Sequence, residues 1–271
     1  MVQLVFLLRF LVGVLCVEAS SRSGSARDVM LGSVSLLCAV MASYLVNGVM
    51  DVAEDRINGS QRPIASGVLS ARAAMKVAGV LAVIALLTAS FVPVGIWLVG
   101  LILLLGCVYS VPPVAAKRWT TASAAVVMCT GFVTYLAGVA AAGGGAATVP
   151  LLFCAVLALW MGFVGAVTKD LSDTHGDEAA GRRTFAVVRG ERAARLFVAV
   201  SAPVLGAAGL GLALLGDSVV LTGAVPLALG AGWVALRCLR PSPSRVRAPY
   251  HAFMITQYSA NAGLALGLLA N

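Results

Sequence analysis

A chain of 271 residues with 11% charged side chains and a mean hydropathy of +0.98 is too apolar for a soluble globular domain. Its net charge of +8 is no footprint of a nucleic-acid binder, because the basic residues form no soluble face interleaved with aromatic platforms. The six cysteines (Cys16, Cys38, Cys107, Cys129, Cys154, Cys238) lie in or beside apolar runs with no CxxC pair, which argues for free thiols and against a thiolate metal centre.

Apolar runs near the ~17–25 residues needed to cross a hydrocarbon core number about nine. In chain order they occupy 2–17, 29–46, 73–91, 94–111, 121–142, 148–168, 194–215, 218–236 and 251–270. The first is short and contains Arg9, so a signal peptide cleaved near Ala19-Ser20-Ser21 is its rival reading. A lone Arg inside the apolar stretch makes a poor basic leader, and the run is taken as a span. Of the 19 Lys and Arg, 16 fall in or beside four alternate connections, 47–76, 112–120, 169–195 and 237–250. The loops at 92–93, 143–147 and 216–217 carry none. Cytoplasmic loops concentrate Lys and Arg, so those four connections are expected on the cytoplasmic side. The expectation is an all-α polytopic protein of the cell (plasma) membrane, with a cytoplasmic N-terminus. Gly143–Gly145 reads as a loop or a tight helix contact, since no strand–turn–helix surrounds it to make a phosphate cradle.

Acid is scarce and clustered. Seven of the 11 Asp and Glu fall in two groups, Asp51/Glu54/Asp55 and Asp170/Asp173/Asp177/Glu178, each at the cytoplasmic end of an apolar run. Carboxylates are costly near a bilayer and are seldom kept there without a function. If the spans continue past the membrane surface as helix, Asn47, Asp51 and Asp55 stack on one face, and so do Asp170, Asp173 and Asp177. Stacked carboxylates repel unless a cation answers them. A surface network with Arg and Lys is the bland reading, but it leaves unexplained why only two of the four connections carry the acid. Hard oxygen donors suit Mg²⁺, which is held by one or two carboxylates plus substrate phosphates. Arg56, Arg62, Lys117 and Lys169 lie close in sequence and suit a diphosphate. The two motifs also echo each other weakly: apolar helix, spaced acids, then Arg and Gly.

These residues resemble the UbiA-type intramembrane prenyltransferases. Asn47-Gly48-Val49-Met50-Asp51-Val52-Ala53-Glu54-Asp55 is similar to the family's N-x-x-x-D-x-x-x-D, and Arg62-Pro63-Ile64-Ala65-Ser66-Gly67 to its RP-x-x-SG turn. Tyr109-Ser110 with Pro112-Pro113 and Lys117 resembles the YS-x-PP segment. Lys169-Asp170-Leu171-Ser172-Asp173-Thr174-His175-Gly176-Asp177, continuing to Gly181 and Thr184, resembles the second aspartate motif. Gly48 departs from the pattern, since many members carry an acid directly after the Asn.

The resemblance implies a single domain over 1–271, with about nine transmembrane helices around a central cavity where the two motifs face each other. It implies transfer of an allylic prenyl group from a prenyl diphosphate to a small aromatic or quinone-precursor acceptor. Mg²⁺ would be held by Asp51, Asp55, Asp173 and Asp177, which are also the expected catalytic residues. Asn47, Arg62, Lys117, Lys169, Asp170 and Tyr109 would contact substrate. Arg9 is the candidate of the first span for contact with an acceptor. Tyr44, Tyr109, Phe132, Tyr135, Trp160 and Phe163 offer aromatic faces to a carbocation, though packing is the expected role for most of them. The alternative is a UbiA-type membrane terpene cyclase, which shares the diphosphate end and traps the cation internally. A transporter would place its acids at mid-helix instead.

Overall fold

The computed structural model describes residues 2–57, 59–171, 174–242 and 246–271. Among the described residues there is helix and no strand, apart from isolated bridge positions such as Trp119 with Arg183. Every apolar run predicted above coincides with a helix. The helices are α1 (Val2–Leu15), α2 (Ala26–Met50), α3 (Val52–Ile57), α4 (Ala71–Ala89), α5 (Gly95–Ser110) and α6 (Thr120–Ala142). The chain continues with α7 (Thr148–Trp160), α8 (Val167–Asp170), α9 (Thr174–Ala179), α10 (Phe185–Arg189), α11 (Glu191–Leu215), α12 (Leu221–Leu239) and α13 (Ala248–Ala270). A π-helical turn, Met161–Ala166, joins α7 to α8 in one rod.

Six of these rods are long and apolar enough to cross a membrane: Ala26–Met50, Ala71–Ala89, Thr120–Ala142, Thr148–Asp170, Glu191–Leu215 and Ser218–Leu239. The chain is an integral membrane protein. α1 and α5 are apolar but shorter, and α13 spans 23 residues while carrying His251, Gln257 and Asn261. Large apolar side chains point outward, as a lipid solvent allows; Trp97 is 77% and Leu215 92% exposed.

Local chemistry sets the helix ends. Ser25 caps α2 with a full capping box, its hydroxyl accepting from the Asp28 N–H while Asp28 reaches back to the Ser25 N–H (2.8 Å). Ser70 caps α4 in the same sense, accepting from the Ala73 N–H.

The chain divides into two compact units. The first holds residues 1–118 and 133–145, the second residues 119–132 and 146–271, so α6 contributes its two halves to different units. In the first unit α1 packs on the second half of α6 through Gly13 and Gly138. A Cβ on Gly13 would lie 2.0 Å from the Tyr135 carbonyl oxygen, and one on Gly138 1.9 Å from that of Phe10. Helices in lipid gain little from hydrophobic association, so such backbone approach supplies the packing. Phe10, Leu36, Ile102 and Tyr135 are fully enclosed in this unit, and the Ser35 hydroxyl donates across to the Ala85 carbonyl (2.6 Å).

In the second unit, α12 and α13 meet through Gly263 against the Thr222 carbonyl and Gly230 against Thr256. α7 is set around Phe153, Leu157 and Trp160, all buried.

Gly138→Val is expected to destabilise the protein by about 1–3 kcal/mol through overpacking. Gly79→Val, in open space on α4, should leave stability near wild type. Thermal unfolding of both variants in detergent measures the contrast.

Candidate active site

The first aspartate motif hangs on the end of α2. Asp51 follows Met50 with φ −93° and ψ −1°, and helix resumes at Val52. The Asp51 N–H still donates to the Asn47 carbonyl (2.9 Å), and the Asp55 N–H to the Asp51 carbonyl (2.8 Å). The i→i−4 pattern thus passes through the change of helix, and the three residues keep the predicted stacking.

Their side chains are met from three other segments. Asn47 Nδ2 donates to Asp51 Oδ2 (2.8 Å), while Asn47 Oδ1 accepts from the Ser110 hydroxyl at the end of α5 (3.0 Å). Lys117, 6% exposed, pairs through Nζ with Asp51 Oδ1, itself on a residue only 7% exposed. Arg62 Nη1 lies 3.1 Å from Asp55 Oδ2 and 3.9 Å from Asp51 Oδ2. A desolvated carboxylate is costly unless paired and hydrogen-bonded, and Lys117 with Asn47 supplies both conditions.

The turn that delivers Arg62 starts with a helix stop. Gly59 has φ +63°, its N–H donates to the Arg56 carbonyl (3.1 Å), and the Ser60 N–H returns to the Asp55 carbonyl (2.8 Å). That is a Schellman ending, which favours glycine at the left-handed position. Beyond it, the Ser66 N–H donates to the Arg62 carbonyl (2.9 Å), and Arg56 Nε ties down the Ala65 carbonyl (3.1 Å). At the point where an acid is common in the resembled motif, Gly48 faces Ile64: a Cβ there would sit 3.2 Å from Ile64 Cδ1. The departure therefore coincides with close packing of the turn on α2.

The second motif repeats the device. Gly181 has φ +67°, its N–H donates to the Glu178 carbonyl (3.0 Å), and the Arg182 N–H returns to the Asp177 carbonyl (2.8 Å). Asp55 and Asp177 thus occupy the same position in two Schellman endings, and in each case an arginine comes back on the carboxylate. Here Arg182 Nη1 reaches Asp177 Oδ1 at 3.3 Å, with side-chain exposures of 12% and 5%. Lys169 and Asp170 are half-buried at the end of α8. Thr184, buried, opens α10. Arg183 continues into the bridge with Trp119, its guanidinium 5.4 Å over the indole.

Of the residues singled out in the sequence, Asn47, Asp51, Asp55, Arg62 and Lys117 come together in the first unit. Asp177 belongs to the second unit, as do Lys169 and Asp170. Asp173 lies outside the described residues. Tyr109 is half-buried on the last turn of α5, and its neighbour Ser110 is the residue that reaches Asn47. Ser110 and Arg182 were missed as site residues. Ser110 is itself a quoted motif position and Arg182 stands beside one, but neither spacing nor charge marks their partners. Arg9 is 1% exposed on α1, 5.4 Å over the Phe6 ring, which meets Tyr44 edge-on at 6.4 Å.

The donor set fits Mg²⁺ in chemistry. Asp51 and Asp55 offer hard carboxylate oxygens one turn apart, with two cations alongside for phosphate oxygens. Among the described residues no three His, Cys, Asp or Glu gather into an all-protein cage. Mg²⁺ does not require one when substrate phosphates complete its shell.

Residues 6–256 match the UbiA prenyltransferase family. The chain belongs to that family. As a UbiA prenyltransferase it is 31% identical over 221 residues to digeranylgeranylglyceryl phosphate synthase of Natronomonas pharaonis, covering 80% of this chain and 73% of that protein. It is 31% identical over 169 residues to a probable homogentisate phytyltransferase 2 of Oryza sativa subsp. japonica, covering 59% of this chain and 45% of the relative. A UbiA homologue from Archaeoglobus fulgidus, solved bound to GPP and Mg²⁺, shares the fold at 19% identity with a TM-score of 0.70, over 100% of this chain and 96% of that one.

Within this UbiA fold, Lys117→Met leaves the Asp51 carboxylate buried without its cation and is expected to cost about 3–5 kcal/mol. Arg62→Ala removes a half-exposed partner and should cost no more than about 1 kcal/mol. Unfolding of the two variants in matched detergent micelles tests the order.

Proposed function

We propose that the protein transfers an allylic prenyl group from a prenyl diphosphate to a small aromatic or quinone-precursor acceptor within the membrane. The observation that carries this reading is the set Asn47, Asp51, Asp55, Arg62 and Lys117. It joins two carboxylates for a divalent cation to two basic groups for phosphate oxygens, at the end of an apolar helix. The relatives support it, since their names include a homogentisate phytyltransferase and a 2-acylphloroglucinol 4-prenyltransferase. We take the chain as one catalytic domain crossing the membrane nine times, in the plasma membrane, with the motifs on the cytoplasmic side.

In this reading Asp51, Asp55, Asp173 and Asp177 hold Mg²⁺, and Lys169, Asp170 and Tyr109 border the substrate. When bound, the metal supplies Lewis-acid neutralisation of the departing diphosphate. Arg62 and Lys117 hold diphosphate oxygens by charge and hydrogen bonding. Asn47, oriented by Ser110, aligns the diphosphate beside Asp51. The allylic C–O bond breaks with its electron pair on the diphosphate oxygen. A ring carbon of the acceptor attacks the allylic cation and then loses its proton. Apolar helix walls keep water from quenching that cation.

Asp51→Asn, Asp55→Asn, Asp173→Asn and Asp177→Asn are each expected to lower transfer at least 100-fold, and EDTA to abolish it until Mg²⁺ is restored. The assay incubates membranes with radiolabelled geranyl, farnesyl and geranylgeranyl diphosphates, with and without hydroxybenzoates and quinols. An aspartate variant with full turnover would overturn the metal assignment. A labelled terpene formed without any acceptor would make the protein a cyclase.

A further inference from the structure

The last two long helices meet along a face that the aspartate motifs do not use. A Cβ on Gly230 would meet Thr256, one on Gly223 would meet Leu264, and one on Gly267 would meet Thr222, so α12 and α13 run antiparallel. Beside the Gly230 contact a groove of about 240 Å³ opens between the two helices. Pro226, Leu229, Trp233, Ile255 and Ser259 form its walls, with the buried Gly230 and Thr256 at its base. Leu229 is 73% and Ile255 53% exposed, so the groove lies on the outer, lipid-facing surface.

This groove is apolar along its length and basic at one end. At ~100° per residue, Pro226, Leu229, Gly230, Trp233, Arg237 and Arg240 share one stripe of α12, about 100° wide. The helical register holds as far as Arg240, whose N–H donates to the Leu236 carbonyl (3.0 Å). Arg237 sets its guanidinium 5.9 Å over the Trp233 ring, which brings the charge onto the groove wall. On α13 the exposed His251 stands one turn before Ile255 on the same face. Residues 218–271 contain four arginines and no Asp or Glu. Among the described residues neither Arg237 nor Arg240 forms an ion pair. Arginine at the end of a span is by itself a topology marker. Here it comes with an apolar groove at its foot and an aromatic ring beneath one guanidinium. Guanidinium groups match phosphate oxygens, and anionic lipids gather at basic clusters on the membrane surface.

We propose that this face binds one anionic phospholipid, with its phosphate on Arg237 and Arg240 and an acyl chain in the groove below Trp233. A zwitterionic lipid brings its own cation up to the same two arginines, so the site favours a headgroup of net negative charge. The dimensions agree. Pro226 lies eleven residues before Arg237, ~16 Å along the helix, about one leaflet of a ~30 Å hydrocarbon core. This lipid is independent of the prenyl-transfer reading, since no residue of the aspartate motifs takes part.

Native mass spectrometry of the purified protein in dodecyl maltoside, titrated with dioleoyl phosphatidylglycerol or dioleoyl phosphatidylcholine, tests the site through the first binding event. Wild type should bind the phosphatidylglycerol roughly tenfold more tightly than the phosphatidylcholine. Arg237→Gln should weaken phosphatidylglycerol roughly fivefold, and adding Arg240→Gln should remove the preference between the lipids. Ser259→Trp fills the groove from an exposed position and should weaken both lipids. Arg72→Gln, at an exposed arginine of the other unit, should leave binding as in wild type, and inorganic phosphate should not displace the lipid. Equal affinity of wild type for the two lipids overturns the site. So does unaltered binding in folded Arg237→Gln or Ser259→Trp protein, or displacement by inorganic phosphate. A loss in Arg72→Gln equal to that in Arg237→Gln would reduce the effect to diffuse surface charge and overturns it as well.

Discussion

A carboxylate at the end of an apolar helix has to be answered by charge, and the local architecture of this protein follows from that requirement. Asp51 is almost out of water, so Lys117 must arrive from beyond α5 and Asn47 must turn toward it from the same helix. Ser110 then orients Asn47, which ties the end of α5 to α2. Asp55, whose side chain is scarcely more exposed (13% against 10%), takes an exposed arginine. One carboxylate is thus held by a buried lysine and the other by an arginine that itself reaches solvent.

Three of the four acids outside the two motifs throw this into relief. Asp28 completes a capping box, Glu191 pairs with Arg195 one turn away, and Asp217 accepts the Val219 N–H at the start of the Ser218–Val220 turn. Each has a local duty that a helix end or an i, i+4 pair explains by itself. Asp51 is instead answered through a contact that brings together separate parts of the sequence. Lys117 is 66 residues from Asp51. Such an arrangement, with no need arising from the helix itself, is what distinguishes a site from a surface.

Much of this was legible from residue order. The apolar runs coincide with helices because the bilayer demands long stretches without charge, and the spacing Asn47–Asp51–Asp55 survived the change from α2 to α3 because the backbone bonds continue across it. Gly59 and Gly181 were visible as the glycines after each acid group, but their shared role as left-handed helix stops needs backbone angles. Side-chain pairing was not legible: nothing in spacing assigns Ser110 to Asn47 or Arg182 to Asp177. Tyr109 attracted the reading because aromatic residues announce themselves, whereas the small hydroxyl beside it makes the contact. Gln257 passed unnoticed inside a run judged by its average hydropathy, which hides single polar residues. Met161–Ala166 looked like ordinary helix, since no proline or charge betrays a π turn.

That π turn also fixes an angle. A π turn holds one more residue than the α turn it replaces, so it offsets everything after it around the rod by about 100° relative to an unbroken helix. Removal of a single residue between Trp160 and Val167 would let the rod relax to continuous α-helix without disturbing its apolar character. Because the wide turn takes up that extra residue within one rotation, the Trp160 end and the Lys169–Asp170 end would keep their present orientation. A residue gained or lost at this one turn is therefore absorbed without rotating the second aspartate motif about its rod, which leaves length variation there open to homologues and to designers.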